Sequence, residues 1–147
     1  MKNGSFKVRG TVRSRTNEAK IAPLKQAFGD YFDQLELVEA DLLDEDSLFK
    51  AIEGSIFVVH TASPVLIGKP KNEDVLIKPA VEGTMAVVRA AHKNRVKRVV
   101  ITSSVAAIYV SPDKNKMEFS VEDWTDLKLA SPYEKSKTMA EKAAWDF

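Results

Sequence analysis

The sequence contains no cysteine, which excludes disulfide bonds, thiolate metal ligands and a cysteine nucleophile. Its two histidines, His60 and His92, are far apart along the chain and give little support to a metal site. There is no charge excess to attract nucleic acid, because 22 Lys and Arg offset 21 Asp and Glu. No apolar run approaches the ~20 residues that cross a bilayer, and no signal-peptide core is seen. We therefore expect a cytoplasmic protein whose partners are recognised at local sites and not through a net charge.

Glycine is also scarce, and its distribution excludes a familiar motif. The six glycines stand at positions 4, 10, 29, 54, 68 and 83. Nowhere do they form G-x-G-x-x-G, the loop that holds a dinucleotide's pyrophosphate after the first strand of many nucleotide-binding sheets. Any nucleotide site in this chain must therefore be recognised from other residues.

What the sequence does contain is a regular alternation of short apolar runs with amphipathic stretches. Such alternation predicts an open, doubly wound α/β sheet of parallel strands. The nearly continuous apolar run at 55–60 indicates a strand covered on both faces. Gly29 is expected to end the first helix. The predicted strands are 6–12, 35–38, 55–60 and 97–102, and the predicted helices are about 17–28, 47–52, 75–94 and 131–147.

A tyrosine and a lysine four residues apart carry the clearest chemical signal. On a helix, Tyr133 and Lys137 lie on one face about one turn apart. A tyrosine ordinarily titrates near pH ~10, so acid–base chemistry near neutrality needs a cation to stabilise its phenolate. Such pairs are also common on solvated helices. However, Ser103 and Ser104 follow a predicted strand, at the end where parallel sheets bind ligands.

At this point the sequence resembles the extended short-chain dehydrogenase/reductase family. Within it, the resemblance is to the dihydroflavonol 4-reductase, cinnamoyl-CoA reductase and aldehyde (methylglyoxal) reductase group. Six segments in family order carry the resemblance, which extends over essentially the whole chain. They are VRGTVRS (8–14), EADLLDEDS (39–47), VVHTASP (58–64), IKPAVEGT (77–84), RVVITSSVAA (98–107) and YEKSKTMAEKAAWDF (133–147).

The resemblance implies NADP(H) as cofactor and a small-molecule carbonyl compound as substrate. It makes Tyr133 the proton donor, while Lys137 holds the cofactor ribose and stabilises the phenolate. Ser104 is the family's catalytic serine and would hold the carbonyl oxygen. Ser103 would then face the cofactor, to which Tyr133 and Lys137 also bind.

Further cofactor contacts are implied by position. The strand ending in Arg-Ser-Arg carries cations suited to a ribose 2′-phosphate, whereas NAD-preferring members carry an acidic residue there. A solvated basic turn and, for the aspartate, a helix cap are the alternatives. The residues concerned are Arg13 and Lys20 for the phosphate, Asp41 and Leu42 for adenine, and Thr61, Ala62 and Ser63 along the cofactor.

The resemblance also implies that residues 1–147 form one partial domain of Rossmann type. The family's first strand and glycine loop have no counterpart in this sequence, and neither does its C-terminal substrate-binding region. Because that first strand is central in the family's sheet, we expect the first two strands here to be separated from the last two. The isolated chain is then expected to bind NADP weakly and not to turn over.

Several functions remain open from the sequence. The segment SPYEKSK at 131–137 favours a general aldehyde or ketone reductase over a cinnamoyl-CoA reductase, and a dihydroflavonol-like substrate is a further possibility. A sugar-nucleotide epimerase or a 3β-hydroxysteroid dehydrogenase of the same fold is the first alternative. A non-catalytic interaction fragment that pairs through exposed sheet edges is the second. The oligomeric state is left open.

Overall fold

The computed structural model describes residues 6–66 and 70–147, and strands alternate with helices along these ranges as predicted. Short 3₁₀ helices at Gly29–Gln34 and Val105–Ala107 were not predicted. None of the helices in the described ranges is both long and apolar enough to cross a bilayer. The elements are β1 (Val8–Val12), α1 (Glu18–Phe28), β2 (Leu35–Glu39), α2 (Glu45–Ile52), β3 (Phe57–His60), α3 (Asp74–Lys93), β4 (Arg98–Ile101) and α4 (Pro132–Trp145).

The strands form two separate parallel pairs. β1 pairs with β2 in the register Val8↔Leu35, and β3 pairs with β4 in the register Phe57↔Arg98. Within the described residues no strand lies between the two pairs, so each is a two-stranded sheet. The expected separation of the first two strands from the last two is therefore confirmed.

The core lies where α2 and α3 pack over the second strand pair. Partly buried Val58 and Val99 of β3 and β4 lie against it. α3 presents mostly small residues on its buried face, which lets α2 and α4 approach closely. The buried core residues are Leu48, Ile52, Ala86, Val87 and Ala90.

The opposite face of the second strand pair is open, contrary to the prediction from its apolar run. Phe57 is 52% exposed and Val59 is 68% exposed. Both line a cleft beneath α1 to which Leu24 and Phe28 also contribute. Helix packing therefore covers only one face of β3, and the prediction of a strand buried on both faces is wrong.

Side chains, rather than strand hydrogen bonds, link the two strand pairs. The rings of Phe6 and Phe57 meet edge to face with their centroids 6.3 Å apart. Arg9 on β1 donates through Nη1 to the carbonyl oxygens of Ala51 at 3.0 Å and Glu53 at 2.8 Å. These carbonyls lie at the C-terminal end of α2, where a cation also interacts favourably with the helix dipole. Arg9 thus joins the first strand pair to α2.

Local capping fixes the helix ends. Gly29 has a φ of +51° and follows the last residue of α1, so the predicted glycine stop is confirmed. α2 begins two residues earlier than predicted, because the carboxylate of Asp44 accepts the backbone N–H of Ser47 at 3.1 Å. α4 starts with a capping box formed by Ser131 and Glu134, and this box sets the orientation of the Tyr133 turn.

Candidate active site

A cleft of about 750 Å³ lies between the two strand pairs at the carboxyl ends of their strands. We call it the strand-end cleft. Ligands of open parallel sheets bind at this position, where successive loops diverge. The predicted cofactor residues that line it are Arg13, Asp41, Leu42, Ala62 and Ser63.

Arg13 and Asp41 lie in the loops that follow β1 and β2, and both line the strand-end cleft. Arg13 is exposed and forms no salt bridge with the described residues, so its guanidinium can bind an anion. One carboxylate oxygen of Asp41 accepts the backbone N–H of Leu43 at 2.9 Å. Since Asp44 caps α2, Asp41 shapes a turn, and the helix-cap alternative does not apply to it.

Two predicted cofactor residues lie elsewhere. Thr61 is exposed and lines the cleft beneath α1 instead of the strand-end cleft. Lys20 is an exposed residue on α1 and is absent from the lining of either cleft. The structure therefore does not place these two residues with Arg13, and their roles stay predictions.

The structure brings Tyr133 and Lys137 together on α4. The ammonium nitrogen of Lys137 lies 6.0 Å from the centroid of the Tyr133 ring. Lys137 itself is only 8% exposed. Tyr133 lines a second opening of about 520 Å³ with Leu66, Leu129 and Pro132, which we call the Tyr133 cleft. The predicted same-face arrangement is confirmed, and it combines a buried cation with a partly accessible phenol.

A small cavity of about 20 Å³ lies beneath Lys137. We call it the lysine cavity. Its polar lining includes His60 and Thr84, whose Nε2 and Oγ1 atoms are 3.5 Å apart. Burial, together with the charge of Lys137, lowers the pKa of His60 below its ordinary value. Ala62 and Ser63 line both this cavity and the strand-end cleft, so the two are neighbours.

The two serines after β4 point to different partners. Ser103 donates its hydroxyl to the carboxylate of Glu141 on α4 and lines the lysine cavity. Ser104 begins the 3₁₀ helix and accepts the backbone N–H of Ala106 at 3.2 Å. Its own O–H remains available to donate to a carbonyl oxygen. Ser104 lines neither the lysine cavity nor the Tyr133 cleft, although its 3₁₀ helix packs against α4.

Tyr109, which follows this 3₁₀ helix, connects it to the start of α4. Its hydroxyl hydrogen-bonds to the carboxylate of Glu134, the residue directly after Tyr133. This bond raises the pKa of Tyr109. Partial burial raises the pKa of Glu134, but bonds from Tyr109 and Ser131 outweigh it and leave that pKa below its ordinary value. The segments that carry Ser104 and Tyr133 are thereby held together.

Sequence reasoning missed the partners of the predicted site residues. Thr84 was not singled out, although a threonine on the apolar face of a helix can signal a buried hydrogen bond. His60 lies in the core with 8% of its surface exposed, and its contact with Thr84 was likewise not anticipated. No group of three or more His, Asp or Glu suited to a metal ion occurs in residues 6–66 and 70–147.

The sequence pattern of the 3-beta hydroxysteroid dehydrogenase/isomerase family matches residues 15–146. The chain belongs to this family. Its membership among the extended short-chain dehydrogenases/reductases is thereby confirmed. Among curated relatives, tetraketide alpha-pyrone reductase 1 of Arabidopsis thaliana is 42% identical over 97% of this chain. An anthocyanidin reductase of Vitis vinifera is 39% identical over the same share.

Solved structures agree with the fold. Yeast methylglyoxal/isovaleraldehyde reductase complexed with NADPH superposes with a TM-score of 0.78 at 31% identity over 99% of this chain. Vestitone reductase from alfalfa superposes with a TM-score of 0.72 at 30% identity. The chain spans 44 to 46% of the length of these relatives. The arrangement of strands and helices is that of a Rossmann-type reductase, of which this chain represents about half.

Proposed function

We propose that the chain supplies the cofactor-binding and proton-donating residues of an NADPH-dependent carbonyl reductase. The strand-end cleft carries this proposal, because it gathers Arg13 with Asp41 and adjoins the cavity of Lys137 through Ala62 and Ser63. The reductases named among the relatives support it. One of them was solved with NADPH bound.

The residues of the strand-end cleft fit a phosphorylated dinucleotide. Arg13, which forms no salt bridge within residues 6–66 and 70–147, offers its guanidinium for a 2′-phosphate. Ala62 has too small a side chain to obstruct a ligand lying along the strand ends. Asp41 uses one carboxylate oxygen locally, which leaves the other for an amine or hydroxyl of the ligand. NADPH, when bound, supplies a hydride to the carbonyl carbon of the substrate.

The chain's own residues handle the proton and the developing charge. Tyr133 gives its phenolic proton to the carbonyl oxygen, and the ammonium of Lys137 stabilises the phenolate that remains. Lys137 can do so because its burial reduces the screening of its charge by bulk solvent. Ser104 donates its free O–H to the same carbonyl oxygen and helps to hold the substrate in position.

Nucleotide titration tests the cofactor assignment. The isolated chain is compared with a version extended at its N-terminus by a strand and glycine loop, with NADPH and NADH as ligands. In the extended protein, Arg13→Gln should weaken NADPH binding roughly 10- to 100-fold, the loss expected for hydrogen bonds to a charged group, and leave NADH binding unchanged. Lys25→Gln removes the same charge beside Glu18 on α1 and should change neither affinity. Equal loss for both nucleotides would contradict the role of Arg13.

Substrate assays separate the remaining activities. We expect NADPH consumption with aldehydes or ketones, and dihydroflavonol-like compounds are the next class to test. A 3β-hydroxysteroid dehydrogenase is the second candidate, because the matching family is described by that activity. It would reduce the oxidised cofactor when given a 3β-hydroxysteroid. Turnover with the steroid but with no carbonyl substrate would replace the first proposal with the second.

A further inference from the structure

Lys137 is a buried cation without a carboxylate partner among the described residues. It is 8% exposed, and none of the salt bridges between described residues includes it. A buried charge is costly unless hydrogen-bonding groups surround it. The lysine cavity supplies such groups from β3, α3 and the end of β4. The cavity has a volume of about 20 Å³. One water needs ~10–15 Å³, so the cavity can hold one water.

Besides Lys137, the cavity is lined by a neutral pair of side chains, His60 and Thr84. His60 and Thr84 are 8% and 5% exposed, and their side chains meet at 3.5 Å. An imidazolium at this position would bring a second buried cation next to Lys137. Glu141 is the other titratable group that lines the cavity, but its carboxylate is occupied by Ser103 and by Trp145 Nε1 at 3.3 Å. His60 is therefore the group in this cavity whose protonation would add a second positive charge beside Lys137.

We propose that His60 and Thr84 are positioning residues for Lys137, and that they hold its ammonium group beside Tyr133 across a cavity that binds one water. The water accepts a hydrogen bond from Lys137 and bonds to the polar side chains of His60 and Thr84. The threonine hydroxyl fixes the ring of His60, while burial and the charge of Lys137 keep that ring uncharged. The importance of this arrangement for proton donation rests on the proposed reductase function, whereas the arrangement itself does not.

The first test needs no activity. The ring signals of His60 and His92 are followed by NMR in the isolated chain across the pH range in which histidine titrates. Lys137→Met should move the His60 midpoint to higher pH, since it removes the neighbouring positive charge. Lys135→Met, which removes a lysine paired with Glu73, should leave it in place. His92, outside the lysine cavity, serves as the internal reference. An unchanged His60 midpoint in Lys137→Met would overturn the proposal.

The second test uses a conservative pair in a version of the protein that reduces a carbonyl with NADPH. Thr84→Val keeps the shape of the side chain and loses the hydroxyl, whereas Thr84→Ser keeps the hydroxyl. We expect Thr84→Val to lower kcat about 10- to 100-fold, as for a slightly misplaced catalytic group. It should also shift the acid limb of the pH profile, while Thr84→Ser restores both. Equal kinetics in the two variants would refute the positioning role. Absence of reductase activity together with His60–Lys137 coupling would count against the proposed function alone.

Discussion

Gly83 on α3 allows the loop after β2 to lie against the helix, and replacing it tests that packing. A Cβ built at this position would lie 2.8 Å from Cδ2 and 2.9 Å from Cβ of Leu42. Comfortable carbon contacts are about 3.5–4.0 Å. Rotation of the leucine side chain relieves only the first contact, because Cβ is fixed to the backbone. Gly83→Ala must therefore move the loop that carries Asp41 and Leu42 into the strand-end cleft.

The expected magnitude follows from two opposed effects. Replacing glycine by alanine inside a helix stabilises it by about 1 kcal/mol. Overpacking costs about 1–3 kcal/mol. Because Leu42 Cβ cannot move away by side-chain rotation, we expect the cost of Gly83→Ala to lie near the upper end of this range. We expect a net loss of about 1–2 kcal/mol in the free energy of unfolding, measured by urea denaturation with tryptophan fluorescence. In a Leu42→Gly background the clash is absent, and Gly83→Ala should instead stabilise by about 1 kcal/mol. Stabilisation in both backgrounds would refute this account of the packing.

Three further predictions concern the junction of the strand pairs, pH and association. Arg9→Met should lower the unfolding free energy by about 1–2 kcal/mol, because two carbonyls at the end of α2 lose a charged donor. Glu36→Gln removes only the largely exposed carboxylate that pairs with Arg9 and should change the unfolding free energy by under about 0.5 kcal/mol. Urea denaturation distinguishes the two variants. Folding lowers the pKa of His60, so the unfolded chain binds more protons than the folded chain. The stability that comes from neutral His60 is therefore present above pH 6.5 and is lost as the pH falls below that value. His60→Gln should flatten this pH dependence of the unfolding free energy, measured by urea denaturation at a series of pH values. The open face of β3, on which Val59 is 68% exposed, should produce concentration-dependent association by light scattering, and Val59→Lys should suppress it. Equal association in that variant would exclude this face as the contact.

Local sequence signals were sufficient for most of the secondary structure. Short apolar runs predicted the four strands, and amphipathic spacing predicted the four α-helices, that the described residues form. Gly29 ended α1 since its φ of +51° favours glycine. The start of α2 was less accurate, because several acidic residues precede it and only backbone geometry selects Asp44 as the cap.

Exposure was harder to predict than secondary structure. The run at 55–60 has the composition of a strand buried on both faces, yet Val59 is largely exposed. Composition reports which residues are able to be buried, whereas the packing of α1 relative to α2 and α3 decides which of them are. The same limitation applies to Lys20 and Thr61, whose predicted roles depend on which cleft their side chains enter.

The sequence by itself determined the parallel α/β pattern, because strands alternate with helices along the chain. It also determined the adjacency of Tyr133 and Lys137, because their spacing places them on one face of a single helix. The family resemblance added the expectation that Arg13 and the loops after β2 and β3 bind the same cofactor. Only the tertiary structure decided that Arg13 shares a cleft with Asp41, that Arg9 joins β1 to the end of α2, and that Lys137 shares a cavity with His60 and Thr84. These contacts join residues far apart along the chain, and long-range packing, which residue spacing does not encode, brings them together.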